Sequence, residues 1–330
     1  MNNQLESMGA WPRILRCKAL GVDITSALQI ARSNYGPNSL PARIIEKAAA
    51  LDTDAFQNDP DLRAASRGFL ELVQASSLLG KISGFCRVPF ETNILKQKTP
   101  LEASWIAEGR PMPITLTSFE ATKLTFRRIG AIIPVTDDVL KGAGAAFENA
   151  LSRQLTSAVS ELENTSFTDP ANAGEEGVTP ASITHGVTPI GGTEVPSDDV
   201  NELLDGFTGD LERSVLVTSP RAGKALHDAG FDSTGIKGGD VAGLTHITST
   251  DVPDSRVILL DPTGIMLSDE GAIFDLSTQT TLQLTDSEGQ PAESISLWQL
   301  NLSAIKITRH LNWQDLRGGS VAFINDAQWV

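Results

Sequence analysis

The sequence predicts an α+β protein whose domains interleave along the chain. Three observations predict it. Residues 145–167 carry one apolar stripe at helical spacing. Two extended arms flank residues 96–118. The later part of the chain breaks into short apolar runs separated by turn residues.

In chain order, residues 1–50 read as helical. Thr25–Ala31 and Leu40–Leu51 are rich in Ala, Leu, Ile, Arg and Lys, and the Tyr35–Ser39 cluster (YGPNS) separates them. The polar run Asp52–Asp61 reads as a linker, and it lacks the acidic spacing, central Gly and closing Glu of a calcium loop. Residues 64–80 form a short amphipathic helix for which Gly80 is the stop. Residues 85–95 read as an edge strand interrupted at Pro89. Residues 119–136 read as one long strand with a bulge near Arg128–Gly130. Between these arms lies ASWIAEGRPMPITLT (Ala103–Thr117), whose Pro111 and Pro113 exclude a helix or a central strand. The arms therefore make a β-hairpin too long to stand alone in water. It holds Trp105, Ile106 and Met112 on a proline-stiffened loop beside Glu108 and Arg110.

The helix over 145–167 has Phe147, Leu151, Leu155, Val159 and Leu162 on its stripe and is roughly 34 Å long. A Gly/Pro/Thr-rich loop fills 169–196, Ser197 caps a helix, and Asp198-Asp199 sit at its favourable end. Ser214–Thr218 reads as a buried strand, followed by a helix with Ser219 as N-cap and Pro220 in its first turn. Short strands follow at 257–260, 265–267, 273–276 and 281–284, then at 295–308 and 321–324.

Composition narrows the function. The chain has 330 residues, 40% hydrophobic, and a net charge of −15, which argues against an ordinary nucleic-acid binder. The charge is uneven. Residues 151–300 hold 24 acidic and 6 basic side chains, and residues 1–150 hold 15 acidic and 17 basic, an asymmetry that suits contact between copies. No apolar run is long enough for a transmembrane helix, and the N-terminus has no signal-peptide core. Cys17 and Cys86, far apart, support neither a disulfide framework nor a zinc site.

Catalytic signatures are missing. The sequence has no GxSxG elbow and no HExxH, and its four histidines share no ligand spacing. Gly230–Lys237 (GFDSTGIK) lacks the adjacent Lys and hydroxyl of a phosphate loop. No catalytic residue, metal site or cofactor is expected.

Four stretches then resemble the major capsid protein of tailed bacteriophages with the Hong Kong 97-type fold. They are Phe69–Ile82 followed by Arg87-Val88-Pro89, Trp105–Pro113 (WIAEGRPMP), Ile132–Leu140 (IIPVTDDVL) before the helix 145–167, and Leu311–Phe323 (LNWQDLRGGSVAF). The resemblance implies N-terminal helices and an arm over 1–84 and an extended loop over 85–130. It implies a peripheral domain from 131–225 and 290–330 with 145–167 as spine helix, and an axial domain over 226–289.

The function it implies is structural. Many copies assemble through pentamers and hexamers into an icosahedral shell around viral double-stranded DNA, and the chain is not an enzyme. The extended loop lies across a neighbour, burying Trp105, Ile106 and Met112 and pairing Glu108 and Arg110. The basic residues Arg13, Arg16, Lys18, Arg32 and Arg43 face DNA or a neighbour's acidic surface. Implied partners are the chain itself, a portal, a scaffold or protease, decoration proteins and weakly contacted DNA, with no membrane. The implied location is the virion, assembled in the host cytoplasm. Some relatives crosslink a loop lysine to an asparagine under a glutamate. Lys96, Lys98 and Asn301 are present but no glutamate follows Asn301, so no crosslinking is expected. Residues 1–60 are expected to be retained as an ordered arm. The alternatives are an encapsulin-type nanocompartment shell and an unrecognised enzyme.

Overall fold

A computed structural model describes residues 10–21, 23–50, 60–97, 105–106, 119–136, 138–139, 145–277, 280–285 and 291–330. Its helices are α1 (Ala10–Leu20), α2 (Ile24–Tyr35), α3 (Leu40–Ala50), α4 (Pro60–Ser76), α5 (Leu78–Lys81), α6 (Ala145–Thr168), α7 (Pro196–Asp205) and α8 (Pro220–Asp228). Its strands are β1 (Cys86–Arg87), β2 (Ile94–Gln97), β3 (Phe119–Thr122), β4 (Arg128–Thr136), β5 (Val215–Thr218), β6 (Gly239–Val241) and β7 (Leu244–Thr248). They continue with β8 (Val257–Leu260), β9 (Ile265–Ser277), β10 (Thr281–Thr285), β11 (Pro291–Ser296), β12 (Leu302–Asp315) and β13 (Val321–Ile324). The mixture of helix and sheet is that of an α+β chain, as the sequence predicts.

The chain divides into two compact units. One comprises Met1–Gly80, Arg128–Leu162 and Glu270–His310, and the other Lys81–Arg127, Glu163–Asp269 and Leu311–Val330. Each is assembled from three separated stretches because α6, β9 and β12 run on from one unit into the other.

In the first unit, β4 pairs antiparallel with β12 from Leu302 opposite Thr136 to His310 opposite Arg128. Alternate residues of β4 turn inward. Val135, Ile305 and Ile307 meet Leu151, Leu155 and Val159 of α6 and Ile14, Ala31, Ile44, Ile45, Phe69 and Val73 of the N-terminal helices in a single core. Asp23 caps α2, its carboxylate accepting from Ser26 N at 2.7 Å. The expected helix over 64–80 starts earlier, at Pro60, and breaks after Ser76. Gly80 does not stop it. That glycine lets the chain fold back onto the end of α4, since a Cβ there would lie 2.1 Å from the Gln74 carbonyl oxygen. This unit also holds the two-stranded antiparallel ribbon β10–β11.

The second unit is built on a five-stranded sheet in the order β13-β8-β5-β7-β6. All four residues of β5, β8 and β13 are buried, so these strands read in sequence as unbroken apolar runs. Val200 and Leu203 of α7 and Leu226 of α8 share a core with Leu216, Val257, Leu259 and Ile324 of the sheet. Ser219 caps α8 by accepting from Ala222 N at 3.1 Å. On α7 the expected cap fails. Pro196, with φ preset for a helix, takes the first turn, the N-cap is Val195, and Ser197 lies inside. Asp199 is also not a cap: it is buried and accepts from Thr193 N and Trp329 Nε1, each at 2.8 Å.

The expected boundary between residues 225 and 226 has strands of this one sheet on both sides of it, β5 before and β7 and β8 after. Sequence shows that each of these runs is buried but not which of them pair. The single strand expected over 119–136 is two strands, β3 and β4, separated by residues 123–127 rather than by a bulge at 128–130.

Candidate functional site

The extended arms over 85–130 form the ribbon β2–β3. It pairs antiparallel, with Ile94 opposite Thr122, Leu95 opposite Ala121, Lys96 opposite Glu120 and Gln97 opposite Phe119. The interruption at 123–127 explains how the ribbon is rooted. There Leu124 turns inward and joins Phe90 and Met266 in a small buried cluster against which Val88, Ile94 and Leu316 pack. Phe90 and Phe126 stack with centroids 4.5 Å apart. Glu91 adopts φ 57°, donates its N–H to Leu124 O at 2.9 Å, and pairs through its carboxylate with Lys123 Nζ at 2.6 Å. Asn312 Nδ2 donates to Thr125 O at 2.7 Å and Leu311 N to Arg127 O at 3.1 Å. A continuous strand could not supply these contacts, because its alternation would place Leu124 and Phe126 on one face with their amides in a ladder.

Beyond this root three apolar side chains among the described residues are out in solvent. Leu95 is 66% exposed, Trp105 is fully exposed and Ile106 is 41% exposed. Glu108, Arg110 and Met112, the other residues expected at the contact, lie outside the described residues. A fully exposed tryptophan costs solvation free energy in a lone chain, and burial of such a side chain against a partner recovers about 2 to 3 kcal/mol.

The long helix carries the expected stripe with one exception. Leu151, Leu155 and Val159 are buried, and Phe147 packs against the same core. Leu162 is half exposed, because the buried line continues in steps of four to Glu163 and Phe167. Apolar character marked Leu162 and passed over Glu163, although burial follows helical position. At the start of the helix, buried Glu148 accepts from Tyr35 Oη and from Arg16 Nη1 at 3.1 Å, with Arg13 Nε at 3.5 Å. The Arg13 guanidinium also lies 5.4 Å from the Tyr35 ring centroid. Burial, then the bond to Glu148, pushes the Tyr35 phenol up to about 12. No sequence signal marked this cluster, since Glu148 lies more than a hundred residues from Arg13, Arg16 and Tyr35.

The basic residues expected to face DNA or a neighbour are engaged inside their own unit. Arg13 and Arg16 meet Glu148, Arg32 meets Glu46 at 3.1 Å, and Arg43 and Lys47 share Asp61 at 3.0 and 2.8 Å. Burial lowers the Lys18 ammonium pKa, against the opposing pull of Asp275.

The groups that sequence leaves open as chemistry are placed as follows. Both cysteines are free thiols, and burial pushes Cys17 up to about 12. His246 is buried between Thr218 and Thr234. His185 Nδ1 lies 3.0 Å from Pro170 O. Residues 232–237 of GFDSTGIK line an open groove of about 460 Å³ with Gly238, Lys224, His227 and Asp228, in which Lys224 pairs with Asp228. Among the described residues no cluster of His, Cys, Asp or Glu has metal-holding geometry, and no helix is long and apolar enough to cross a membrane.

Residues 66–229 match the model of the phage capsid family. A capsid polyprotein of Pseudomonas phage PAJU2 is 28% identical over a 365-residue alignment that takes in 99% of this chain and 55% of the polyprotein. The chain thus spans about half the length of that curated relative. Among solved structures, a chain of Mycobacterium phage Adephagia superposes with a TM-score of 0.54 at 14% identity, covering 76% of this chain and 90% of the other. One of Mycobacterium phage Cain does so with a TM-score of 0.52 at 15% identity and the same coverage. The capsid of a native GTA particle computed with C5 symmetry gives 0.50 at 12% identity over 74% of this chain and 88% of the other. At these identities the structural likeness establishes the fold.

Proposed function

We propose that this chain, whose residues 66–229 match the phage capsid family model and whose fold is of the Hong Kong 97 type, is the major shell subunit of a tailed phage, assembling through pentamers and hexamers into an icosahedral container for double-stranded DNA. The observation that carries this reading is the ribbon β2–β3. It is held at its root by a buried cluster and yet presents Leu95, Trp105 and Ile106 to solvent. A segment that is anchored but uncovered is prepared to bury its side chains on another molecule without unfolding anything. In the assembled shell the loop crosses a neighbouring copy, Trp105, Ile106 and Met112 are buried there, and Glu108 and Arg110 pair with the neighbour's charges. The residues 145–167 act as the spine, from which the stripe Phe147, Leu151, Leu155 and Val159 holds the sheet.

In this reading the chain works mechanically and performs no catalysis. The internal pairing of Arg16, Arg32 and Arg43 leaves packaged DNA only weak contacts, which suits a container that releases its contents. Portal, scaffold or protease, and decoration proteins complete the particle, which forms in the host cytoplasm and remains in the virion.

The test is the Trp105→Ala, Ile106→Ala double variant. It is expected to unfold at the wild-type denaturant midpoint, because neither side chain is buried in the single chain. It is expected to lose rings and closed particles in sedimentation velocity and negative-stain images where the wild-type chain gives them. Particles at wild-type yield would overturn the role of the loop.

A further inference from the structure

An α-helix ends with four backbone carbonyls that its own amides cannot reach. At the end of α6 all four are occupied by groups from beyond the helix. Thr165 O accepts from Asp169 N at 3.0 Å, and Ser166 O from Asn172 Nδ2 at 2.9 Å. Phe167 O accepts from Ser182 Oγ at 2.8 Å and from Ile183 N at 3.1 Å. Thr168 O accepts from Thr184 Oγ1 at 3.0 Å and from Arg256 Nη1 at 3.1 Å. Arg256 is buried and is itself fixed by Asn325 Oδ1, which accepts from its Nε at 3.0 Å. Asp169 Oδ1 lies 3.9 Å from its Nη2. The guanidinium thus stands at the negative end of the helix dipole.

The side chains of the same turn are enclosed as well. Glu163, Asn164, Phe167 and Thr168 are each at most 1% exposed. Asn164 Nδ2 donates to Asp251 Oδ2 at 2.6 Å. The Phe167 ring meets Phe85 and Trp313 edge to face, with centroids 6.2 and 5.3 Å away. Every one of these groups belongs to the second unit, which takes over α6 at Glu163. Just before that point the helix is weakened. Ser160 Oγ donates to Thr156 O at 2.8 Å and to Ser157 O at 3.2 Å, back-bonding of a kind that loosens a helix, and Glu161 and Leu162 are exposed.

We infer that the last turn of α6 is a socketed end, held by the second unit and kept helical there when residues 145–162 loosen. A single turn cannot stay helical by itself in water, so the socket formed by Asn172, Ser182, Thr184 and Arg256 is what keeps it so. The amides of Phe167, Thr168 and Asp169 take their acceptors from Glu163, Asn164 and Thr165, and these bonds persist. Arg256 directly precedes β8 and Asn325 directly follows β13, so the socket fastens the helix end to two strands of the five-stranded sheet. A rearrangement of the first unit can then run along α6 as far as Leu162 and leave those strands undisturbed.

The experiment is amide hydrogen exchange of the full chain, resolved to single residues, in the wild type and in Leu155→Ala, which loosens the core of the first unit. The variant is expected to accelerate exchange over residues 150–162 by about tenfold or more and to leave Phe167, Thr168 and Asp169 within about twofold of the wild type. Acceleration of those three amides by the same factor as 150–162 would overturn the inference. The reverse perturbation is Arg256→Met with Thr184→Val, which strips both donors from Thr168 O. It is expected to accelerate Phe167, Thr168 and Asp169 by about tenfold or more while 150–162 keeps its wild-type rate. Unchanged exchange at the three amides would show that the socket does not hold them. If the double variant does not fold, Asn172→Ala, which frees Ser166 O, is read by the same comparison and against the same two outcomes.

Discussion

Acidification should destabilise the sheet unit through His246. Its imidazole is 3% exposed on β7, with Nε2 2.8 Å from Thr218 Oγ1 and Nδ1 bonded to Thr234 Oγ1. Helix α8 crosses it so closely at Gly223 that a Cβ there would lie 3.2 Å from the ring. A neutral imidazole has one donor and one acceptor, and the two hydroxyls satisfy both. A protonated ring can still donate to both, but its charge sits in the interior, and burial alone pushes its pKa down to about 4.

The unfolded chain takes up that proton near 6.5 and the folded chain only near 4. Between these values the unfolded state binds more protons, so stability falls as the pH drops from about 6.5 towards 4. The full loss from this one group is about 3 kcal/mol, and about 2 kcal/mol of it should be gone by pH 5. The assay is urea denaturation at pH 7.5, 6.5, 5.5 and 4.5 of the wild type and of His246→Gln, which keeps a donor and an acceptor but cannot titrate. Carboxylates destabilise both chains in acid, so the quantity read is the difference between the two curves. That difference should shift by about 2.5 kcal/mol in favour of the variant between pH 7.5 and pH 4.5. Parallel curves would refute the argument and mean that the interior at His246 accommodates the charge.

Two further outcomes follow from the first unit. Glu148→Ala leaves Arg16 and Tyr35 without their acceptor and is expected to cost about 2 to 3 kcal/mol, less than a fully buried pair because Arg13 and Arg16 keep some access to water, whereas Tyr35→Phe should cost about 1 kcal/mol. Denaturant midpoints for the pair of variants check this, and equal losses would show that the phenol rather than the ion pair carries the cluster. Leu155→Ala removes a side chain that is 2% exposed at the centre of the core and is expected to cost about 2 to 5 kcal/mol, measured in the same way. A loss below 1 kcal/mol would mean that the surrounding helices collapse into the space.

Sequence revealed the fold where local chemistry decides the outcome. Ser219-Pro220 marked the start of a helix, and the alternation in 128–136 marked which side of β4 is buried. It failed where a distant partner decides. Leu124 has the pattern of a strand residue, but a long-range cluster with Phe90 and Met266 pulls it out of register and thereby roots the hairpin. Leu162 is apolar yet exposed, and Glu163 is charged yet fully buried, because a helix buries positions rather than residue types. The exposure of Trp105 was legible from the prolines around it. The pairing of β10 with β11 was not, because two short polar-looking strands gain meaning only when pairing places Leu282 opposite Ile295.

The basic N-terminal residues show how the same limit bears on function. As a list, Arg13, Arg16, Arg32 and Arg43 suggest a surface waiting for phosphate. As a structure, they are engaged in holding α1 to α6 through Glu148, α2 to α3 through Glu46 and α3 to α4 through Asp61. The same helices bring Ile14, Ile44 and Ile45, each at most 1% exposed, into the core that contains Leu151, Leu155 and Val159. Residues 10–50 are therefore half of the packing that fixes the long helix. A chain deprived of them would expose that helix's stripe to water, at a cost of about 1.5 to 3 kcal/mol for each large side chain.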